Sequence, residues 1–323
     1  MKSDRPLQIV VAEPFDDTAV IRLKEIGTVN VLGDSSPETL LAAVCEADAL
    51  LVRSKTHVTA RIIDAAPSLK VIGRASPTID HIDLRAAQRR NISVVYAPHA
   101  AVTSTAEFTL TLMLTAQRRI TYLNRQVREG QFDALRKPTG REMRNLTIGL
   151  LGFDAVAQKL AGMCTAAFSS RVICWSPPGG PPEGLVRESL LAPVELDELL
   201  AQSDILSVHL ASTRETHHLL NAERMAKMKN TAILVNTSRG PIIDTMALAT
   251  ALKDRVIAGA AVDVFEAEPL PANHPLRRAP SCILTPHIAG MTLDAAAGRF
   301  QVAEDVIRVL NGQVPLYPYD LSD

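Results

Sequence analysis

No CxxC pair occurs among the four cysteines (Cys45, Cys164, Cys174 and Cys282), and none has a histidine beside it at metal-ligand spacing. Neither a disulfide framework nor a metal centre is therefore expected, and scattered reduced thiols suit the cytoplasm. Excess charge of either sign is also missing: 34 Lys plus Arg stand against 35 Asp plus Glu. That balance argues against a nucleic-acid groove or an anionic membrane surface as the partner. No stretch reaches the roughly 18 uncharged apolar residues of a membrane span. The opening MKSDRPLQIVVAEP has only a short apolar run, broken by charge and proline, and does not read as a signal peptide. No internal repeat is visible. What is present is 47% apolar and 21% charged residues over 323 positions. This is the composition of a globular protein with room for two domains of about 150 residues each.

Short β-branched runs alternate with stretches of helical period, which predicts βαβ units and parallel sheets, an α/β fold. The strand candidates are Leu7–Ala12, Val29–Leu32, Ala49–Val52, Lys70–Arg74 and Ile92–Tyr96, then Leu146–Leu151, Val172–Trp175, Ile205–His209, Ala232–Asn236, Ile257–Val262 and Cys282–Leu284. Helices are expected at Pro37–Glu46, where proline suits a first turn, and at Asp83–Arg90. The strand-free stretch from Ala100 to Glu129 reads as a helix crossing between domains, and Leu293–Leu310 as a helix returning to the first domain. Pro177–Gly184 reads as a loop.

The strand Leu146–Leu151 runs into Gly152-Phe153-Asp154-Ala155-Val156-Ala157, where a dinucleotide fold puts its phosphate loop at a helix N-terminus. Of the glycines in GxGxxG only Gly152 is present. Ala157 is a mild change, but Asp154 sets a side chain and a negative charge where backbone should meet a pyrophosphate. The same residues also read as an ordinary strand-to-helix turn capped by Asp154. Ser176 stands where an acidic residue would hold the adenosine ribose and select NAD. It lacks the charge that repels a 2′-phosphate, yet the nearest downstream arginine is Arg187, so NAD against NADP stays open.

Three later segments each follow a predicted strand: Val235–Gly240, Val262–Pro269 and Thr285–Gly290. Their loops should gather at the carboxyl edge of one sheet, where ligands bind in such folds. Reducing a 2-keto acid calls for a cation on the carboxylate and a proton donor beside the carbonyl. Arg239 supplies a bidentate cation, His287 a proton near neutral pH, and Glu268, if buried, a partner that orients and charges the imidazole.

Over nearly its whole length the chain resembles the D-isomer-specific 2-hydroxyacid dehydrogenases. The likeness rests on Val52-Arg53-Ser54-Lys55-Thr56, Leu69–Leu84, Thr105-Ala106-Glu107, Leu146–Gln158, Ser207-Val208-His209-Leu210 and the three segments above. It implies two Rossmann-like or flavodoxin-like domains with a ligand cleft between them: a substrate domain at 1–99 and 291–323, and a dinucleotide-binding domain at 100–290. It implies NAD or NADP as cofactor, a small anionic substrate and a homodimer formed partly through the long helical region. Arg239, Glu268 and His287 would be catalytic. Cofactor contacts would come from Gly152, Phe153, Asp154, Ala155, Val156, Ser176, His209, Leu210, Ala211, Thr237, Ser238, Arg239, Asp263, His287 and Gly290. Arg53, Ser54 and Lys55 would meet an anionic distal group or else be solvated. Departures from the family pattern fall at Asp154 and at Ser76-Pro77-Thr78, where the family has two glycines flanking an apolar residue and backbone N–H groups hold the substrate carboxylate. Pro77 has no N–H to give, and the Ser76 and Thr78 hydroxyls would stand in for it. These departures keep two alternatives open, a non-redox enzyme acting on an anionic acid and a ligand-binding regulatory protein.

Overall fold

A computed structural model of the chain describes residues 5–15, 17–53, 56–76, 79–177 and 192–321. Ser54, Lys55, Pro77, Thr78, Arg187 and all but the first residue of the 177–184 loop lie outside the described residues. The chain divides into two compact units, Met1–Val102 with Met291–Asp323, and Thr103–Gly290.

In the first unit, β1 (Leu7–Val11), β2 (Gly27–Val31), β3 (Ala49–Val52), β4 (Val71–Arg74) and β5 (Ser93–Tyr96) form a sheet in the order β2-β1-β3-β4-β5. Every recorded pairing is parallel. Parallel strands need crossovers that cover both faces, which is why β3 and β4 are wholly buried and, but for Arg74 at the end of β4, apolar. One face packs under Leu40, Val44, Ile62, Ile63 and Ala87. Val302, Ala303 and Val306 of the helix Leu293–Leu310 cover the other. The 2-1-3-4-5 order is that of flavodoxin-like folds.

The second unit contains β6 (Thr147–Leu151), β7 (Arg171–Trp175), β8 (Ala192–Pro193), β9 (Ile205–Val208), β10 (Ile233–Asn236), β11 (Gly259–Val262) and β12 (Cys282–Leu284). Their order is β12-β11-β10-β9-β6-β7-β8, again with parallel pairings. From β6 the chain winds outward through β7 and β8, then returns to place β9 on the other side. The switch in winding between β6 and β9 opens a crevice at their carboxyl ends, the ligand position of doubly wound sheets.

The stretch from Ala100 to Glu129 is two helices, not one: Val102–Gln117 and Ile120–Arg128, separated at Arg119, whose φ is 52°. The two-residue strand β8 has no counterpart among the strands expected from sequence. Among the described residues no helix is long and apolar enough to cross a membrane. No cluster of His, Cys, Asp or Glu among them is arranged to hold a metal ion.

Candidate active site

Consecutive strands of the seven-stranded sheet deliver the expected residues in one row. Ser176 follows β7, Gly152 follows β6, His209 follows β9, Thr237–Arg239 follow β10, Asp263 follows β11 with Glu268 beyond it, and His287 comes shortly after β12. The parallel arrangement alone brings them to a common edge.

At the β6 end, Gly152 has φ 97°, and a Cβ there would fall 2.3 Å from the His209 carbonyl oxygen. Only glycine fits. Its N–H donates to the Trp175 carbonyl at 2.7 Å, while the His209 N–H donates to Leu151 at 2.7 Å, so the turn is braced from both neighbouring strands. Asp154 is the N-cap of the helix Ala155–Phe168, its Oδ1 accepting from Ala157 N–H at 2.8 Å. The ordinary capping reading of this residue therefore holds in the structure. Asp154 takes one of the free N–H groups and its carbonyl takes that of Gln158; those of Ala155 and Val156 remain for a ligand. Phe153 and Leu210 are buried, and their side chains belong to the cores on the two faces of the sheet. Ala211 is exposed, and its carbonyl accepts from Thr216 Oγ1 at 2.7 Å.

His209 is 3% exposed. Its Nε2 lies 2.8 Å from Ser207 Oγ and its Nδ1 3.6 Å from Asp154 Oδ1. Burial holds this imidazole below the ordinary histidine range, with the Asp154 charge acting in the opposite sense.

After β10, Asn236 shapes the next turn. Its Oδ1 accepts from the Ser238 N–H at 3.0 Å and Oγ at 2.9 Å, and its Nδ2 donates to the Arg239 carbonyl at 3.0 Å. Thr237 Oγ1 pairs with Thr109 Oγ1 at 2.7 Å. The half-buried Arg239 donates from Nη1 to the Ser238 carbonyl at 2.9 Å. A Cβ on the next residue, Gly240, would lie 2.0 Å from the Phe265 carbonyl carbon. That close approach sets the Arg239 turn against the loop carrying Glu268.

His287 Nδ1 is 2.8 Å from Glu268 Oε2, and Glu268 Oε1 accepts from the Phe265 N–H at 3.1 Å. The expected pair is therefore formed. Glu268, expected to be buried, has a side chain 36% exposed; it reaches the imidazole from a surface loop, where water screens its charge. His287 has φ 54°, a left-handed conformation uncommon for non-glycine residues. Asp263 holds it there. The Asp263 carbonyl accepts from the His287 N–H at 2.8 Å, and its fully buried carboxylate accepts from Thr285 Oγ1 at 2.6 Å, Ile288 N–H at 3.0 Å and Ala289 N–H at 2.9 Å. Gly290 closes this loop at the boundary of the unit.

In the first unit, Glu13 is 8% exposed, and its Oε1 accepts from the N–H groups of Arg53 and Thr56 and from Thr56 Oγ1 at 2.7 Å. Arg74, 1% exposed, donates to the Arg53 carbonyl at 2.7 Å. Arg53 Nη1 donates to the Pro14 carbonyl at 2.9 Å. Ser76 follows β4, its N–H on the Arg74 carbonyl and its own carbonyl accepting from Ala97. These groups sit at the carboxyl edge of the five-stranded sheet.

Sequence reasoning missed Asn236, Glu13 and Arg74 as organisers. Asn236 had a signal, because an Asx side chain before Thr-Ser commonly closes a turn on its own backbone. For Glu13 the one cue was a lone acid directly after an apolar strand.

A seven-stranded doubly wound sheet with Gly152 at its switch point, and an Arg–Glu–His row along the same edge, defines a nucleotide-dependent oxidoreductase architecture. Residues 110–289 match the model of the D-isomer specific 2-hydroxyacid dehydrogenase NAD binding domain. The chain is 41% identical over 291 residues to a glyoxylate reductase of Thermofilum pendens, covering 87% of this chain and 83% of that protein. It is 37% identical over 308 residues to the D-3-phosphoglycerate dehydrogenase of Archaeoglobus fulgidus, covering 95% of this chain but only 58% of that longer protein. A glyoxylate reductase structure from Paecilomyes thermophila superposes with a TM-score of 0.87 at 25% identity, covering 100% of both chains. The chain belongs to the D-isomer specific 2-hydroxyacid dehydrogenase family. It is an oxidoreductase of the class that moves a hydride between a 2-hydroxy and a 2-keto acid.

The phosphate turn fits the cofactor that this family uses in its backbone, through Gly152 and the N–H groups of Ala155 and Val156. The Asp154 charge would oppose a pyrophosphate bound there.

Proposed function

We propose that this enzyme reduces a small anionic 2-keto acid to the D-2-hydroxy acid, and runs the reverse oxidation, using NAD or NADP. The His287–Glu268 pair at 2.8 Å, on the strand edge that also carries Arg239, is the observation that supports this most directly. With Nδ1 taken by Glu268, Nε2 is the nitrogen of His287 left to exchange a proton. In reduction the substrate C2 gains a hydride, its carbonyl oxygen gains the proton from His287, and the C=O becomes CH–OH. The nicotinamide, when bound, supplies that hydride. Arg239 anchors the carboxylate and stabilises charge developing on the oxygen. Glu268 orients the imidazole and is a counter-charge for its protonated form. Asp263 acts as a positioning residue by fixing the 285–289 loop. Gly152, Ala155 and Val156 would take the pyrophosphate, Ser176 the adenosine ribose, and the Thr237–Arg239 turn, Asp263 and Gly290 the nicotinamide end.

In this reading Thr103–Gly290 binds the dinucleotide, and Met1–Val102 with Met291–Asp323 serves the substrate. Arg53, whose main chain is held at the end of β3 by Glu13 and Arg74, would meet a distal anionic group. Glyoxylate-sized and phosphorylated keto acids are the two substrate types that the relatives' names suggest. The protein would act as a homodimer in the cytoplasm. The helix Ile120–Arg128 buries none of its residues within the protomer, which supports a partner copy there.

The test is turnover, followed by nicotinamide absorbance, of glyoxylate, hydroxypyruvate and phosphohydroxypyruvate with NADH and with NADPH. Reduction of at least one is expected. Saturable binding of cofactor and keto acid with no turnover under any pairing would overturn the reading in favour of a ligand-binding protein.

A further inference from the structure

The mechanism above makes no use of the buried His209 or of the carboxylate that faces it. Asp154 Oδ1 lies 3.6 Å from His209 Nδ1, and this pair sits at the turn where the dinucleotide's phosphates belong. We propose that Asp154 and His209 make dinucleotide binding proton-linked, so that the pyrophosphate is taken up together with one proton held on this pair. The inference rests on the cofactor site assigned above.

The physical argument starts from charge. A pyrophosphate brings two negative charges to a helix N-terminus that already carries the Asp154 carboxylate. Three negative groups in one turn repel, and the low-cost compensation is a proton on the adjacent imidazole. His209 is built to accept one. In its neutral form Nε2 accepts from the Ser207 hydroxyl at 2.8 Å; once protonated, the same nitrogen donates to that oxygen, because a hydroxyl can reverse its role by rotating. Nδ1–H then points its charge toward Asp154. His209 Nε2 and Ser207 Oγ stay paired with each other in both states.

The groups around His209 leave Asp154 as the source of control. From its own strand comes Ser207, which is uncharged and fully buried. β6 contributes the Leu151 carbonyl and Gly152, and the turn beyond them Asp154. β10, on its other side, sets Asn236 level with Val208, and the first charged residue beyond is Arg239. Without ligand, burial keeps the imidazole neutral, with Asp154 opposing this. Phosphate charges add to the opposing side.

Calorimetric titration of NADH and of NADPH into the intact protein, in two buffers of different ionisation enthalpy, counts the protons directly. About one proton should be taken up per dinucleotide near pH 7, and the affinity should fall about tenfold per pH unit between the titration of the free pair and that of the bound pair, then level off. Asp154→Asn preserves the cap, since Asn also accepts from the N3 amide. That variant should bind more tightly at pH 8 and lose the uptake. A histidine-selective NMR titration should show the His209 ring gaining its proton on NADH addition in the parent and not in D154N. Tight binding without proton uptake, or equal uptake in parent and D154N, overturns the inference while leaving the cofactor site standing. Failure of both proteins to bind either dinucleotide at any pH between about 6 and 8 overturns the cofactor site itself, and the inference with it.

Discussion

The His287 main-chain N–H donates to the carbonyl of Asp263 at 2.8 Å, and through that bond a left-handed histidine is locked onto the end of the neighbouring strand. The side chains complete the arrangement: the Asp263 carboxylate pins the residues flanking His287, and Glu268 takes Nδ1. Position and chemistry are thus divided between two acids that leave the same strand, one buried and one half exposed.

Replacing His287 by alanine should lower kcat by about 10²–10⁴-fold, the usual contribution of a positioned acid or base. The melting temperature should barely move, because the ring is 46% exposed and packs in no core. Glu268→Gln should fall between this variant and the parent. Wild-type kcat in His287→Ala, with any keto acid that the parent reduces, would remove His287 from the proposed role.

Asp263→Asn should behave differently. The amide turns one carboxylate oxygen into a donor facing N–H or O–H donors, leaving at least one buried group unsatisfied. A destabilisation of about 1–3 kcal/mol follows from that loss, together with a fall in kcat as His287 loses its position. Thermal melts and single-substrate kinetics on one preparation read both effects. Loss of activity with full stability would mean that Asp263 acts on a ligand and not on the loop.

The strands were legible because parallel sheets bury both faces, so runs such as Ala49–Val52 and residues 233–235 are apolar without interruption. The Arg–Glu–His row was legible for a related reason: each residue closely follows such a run. Two features were not legible. The break between the helices Val102–Gln117 and Ile120–Arg128 falls at Arg118-Arg119, with no Gly or Pro to mark it. The depth of each acid was also hidden, since both Asp263 and Glu268 lie in polar loop sequence, and only packing against β10 and the 285–289 loop buries the first.

Glu266 gives an acid limb to stability. Burial alone would raise its carboxyl, but hydrogen bonds from the Thr245 hydroxyl and amide and from His218 outweigh that and hold it below the ordinary carboxylate range. A carboxyl depressed on folding stabilises the fold above its unfolded pKa, and that stabilisation is lost as pH falls through the folded value. Between about pH 5 and 3, Glu266→Gln should therefore lose less melting temperature than the parent, although it starts lower at neutral pH. Parallel curves for the two proteins would show that Glu266 does not contribute to the acid limb.

Ile120 and Val127, seven residues apart on one helical face, are each 51% exposed, and nearby Phe132 is 62% exposed. An unpartnered apolar stripe of this kind is expected to be covered by a second copy. The double variant Ile120→Asp, Val127→Asp should run at half the parent's mass in light scattering, with circular dichroism unchanged. A parent that is already monomeric would refute the dimer outright.

Trp175 is the single tryptophan of the chain, and its carbonyl accepts the Gly152 N–H at 2.7 Å, which places its backbone against the phosphate turn. It is half buried at the end of β7, beside Ser176, where an adenosine ribose would lie. Its emission should therefore report cofactor binding without background from another indole, and both NADH and NADPH should quench it saturably. Ser176 brings no charge to repel a 2′-phosphate, and the residue after it is proline, which offers no cation to attract one. The two dissociation constants should then agree within about tenfold, or roughly 1.4 kcal/mol. A wider preference for NADPH would require a cation from further along the chain, with Arg187 the first to replace by alanine. A wider preference for NADH would mean that some group other than Ser176 excludes the phosphate, and the ribose site would have to be moved away from the end of β7.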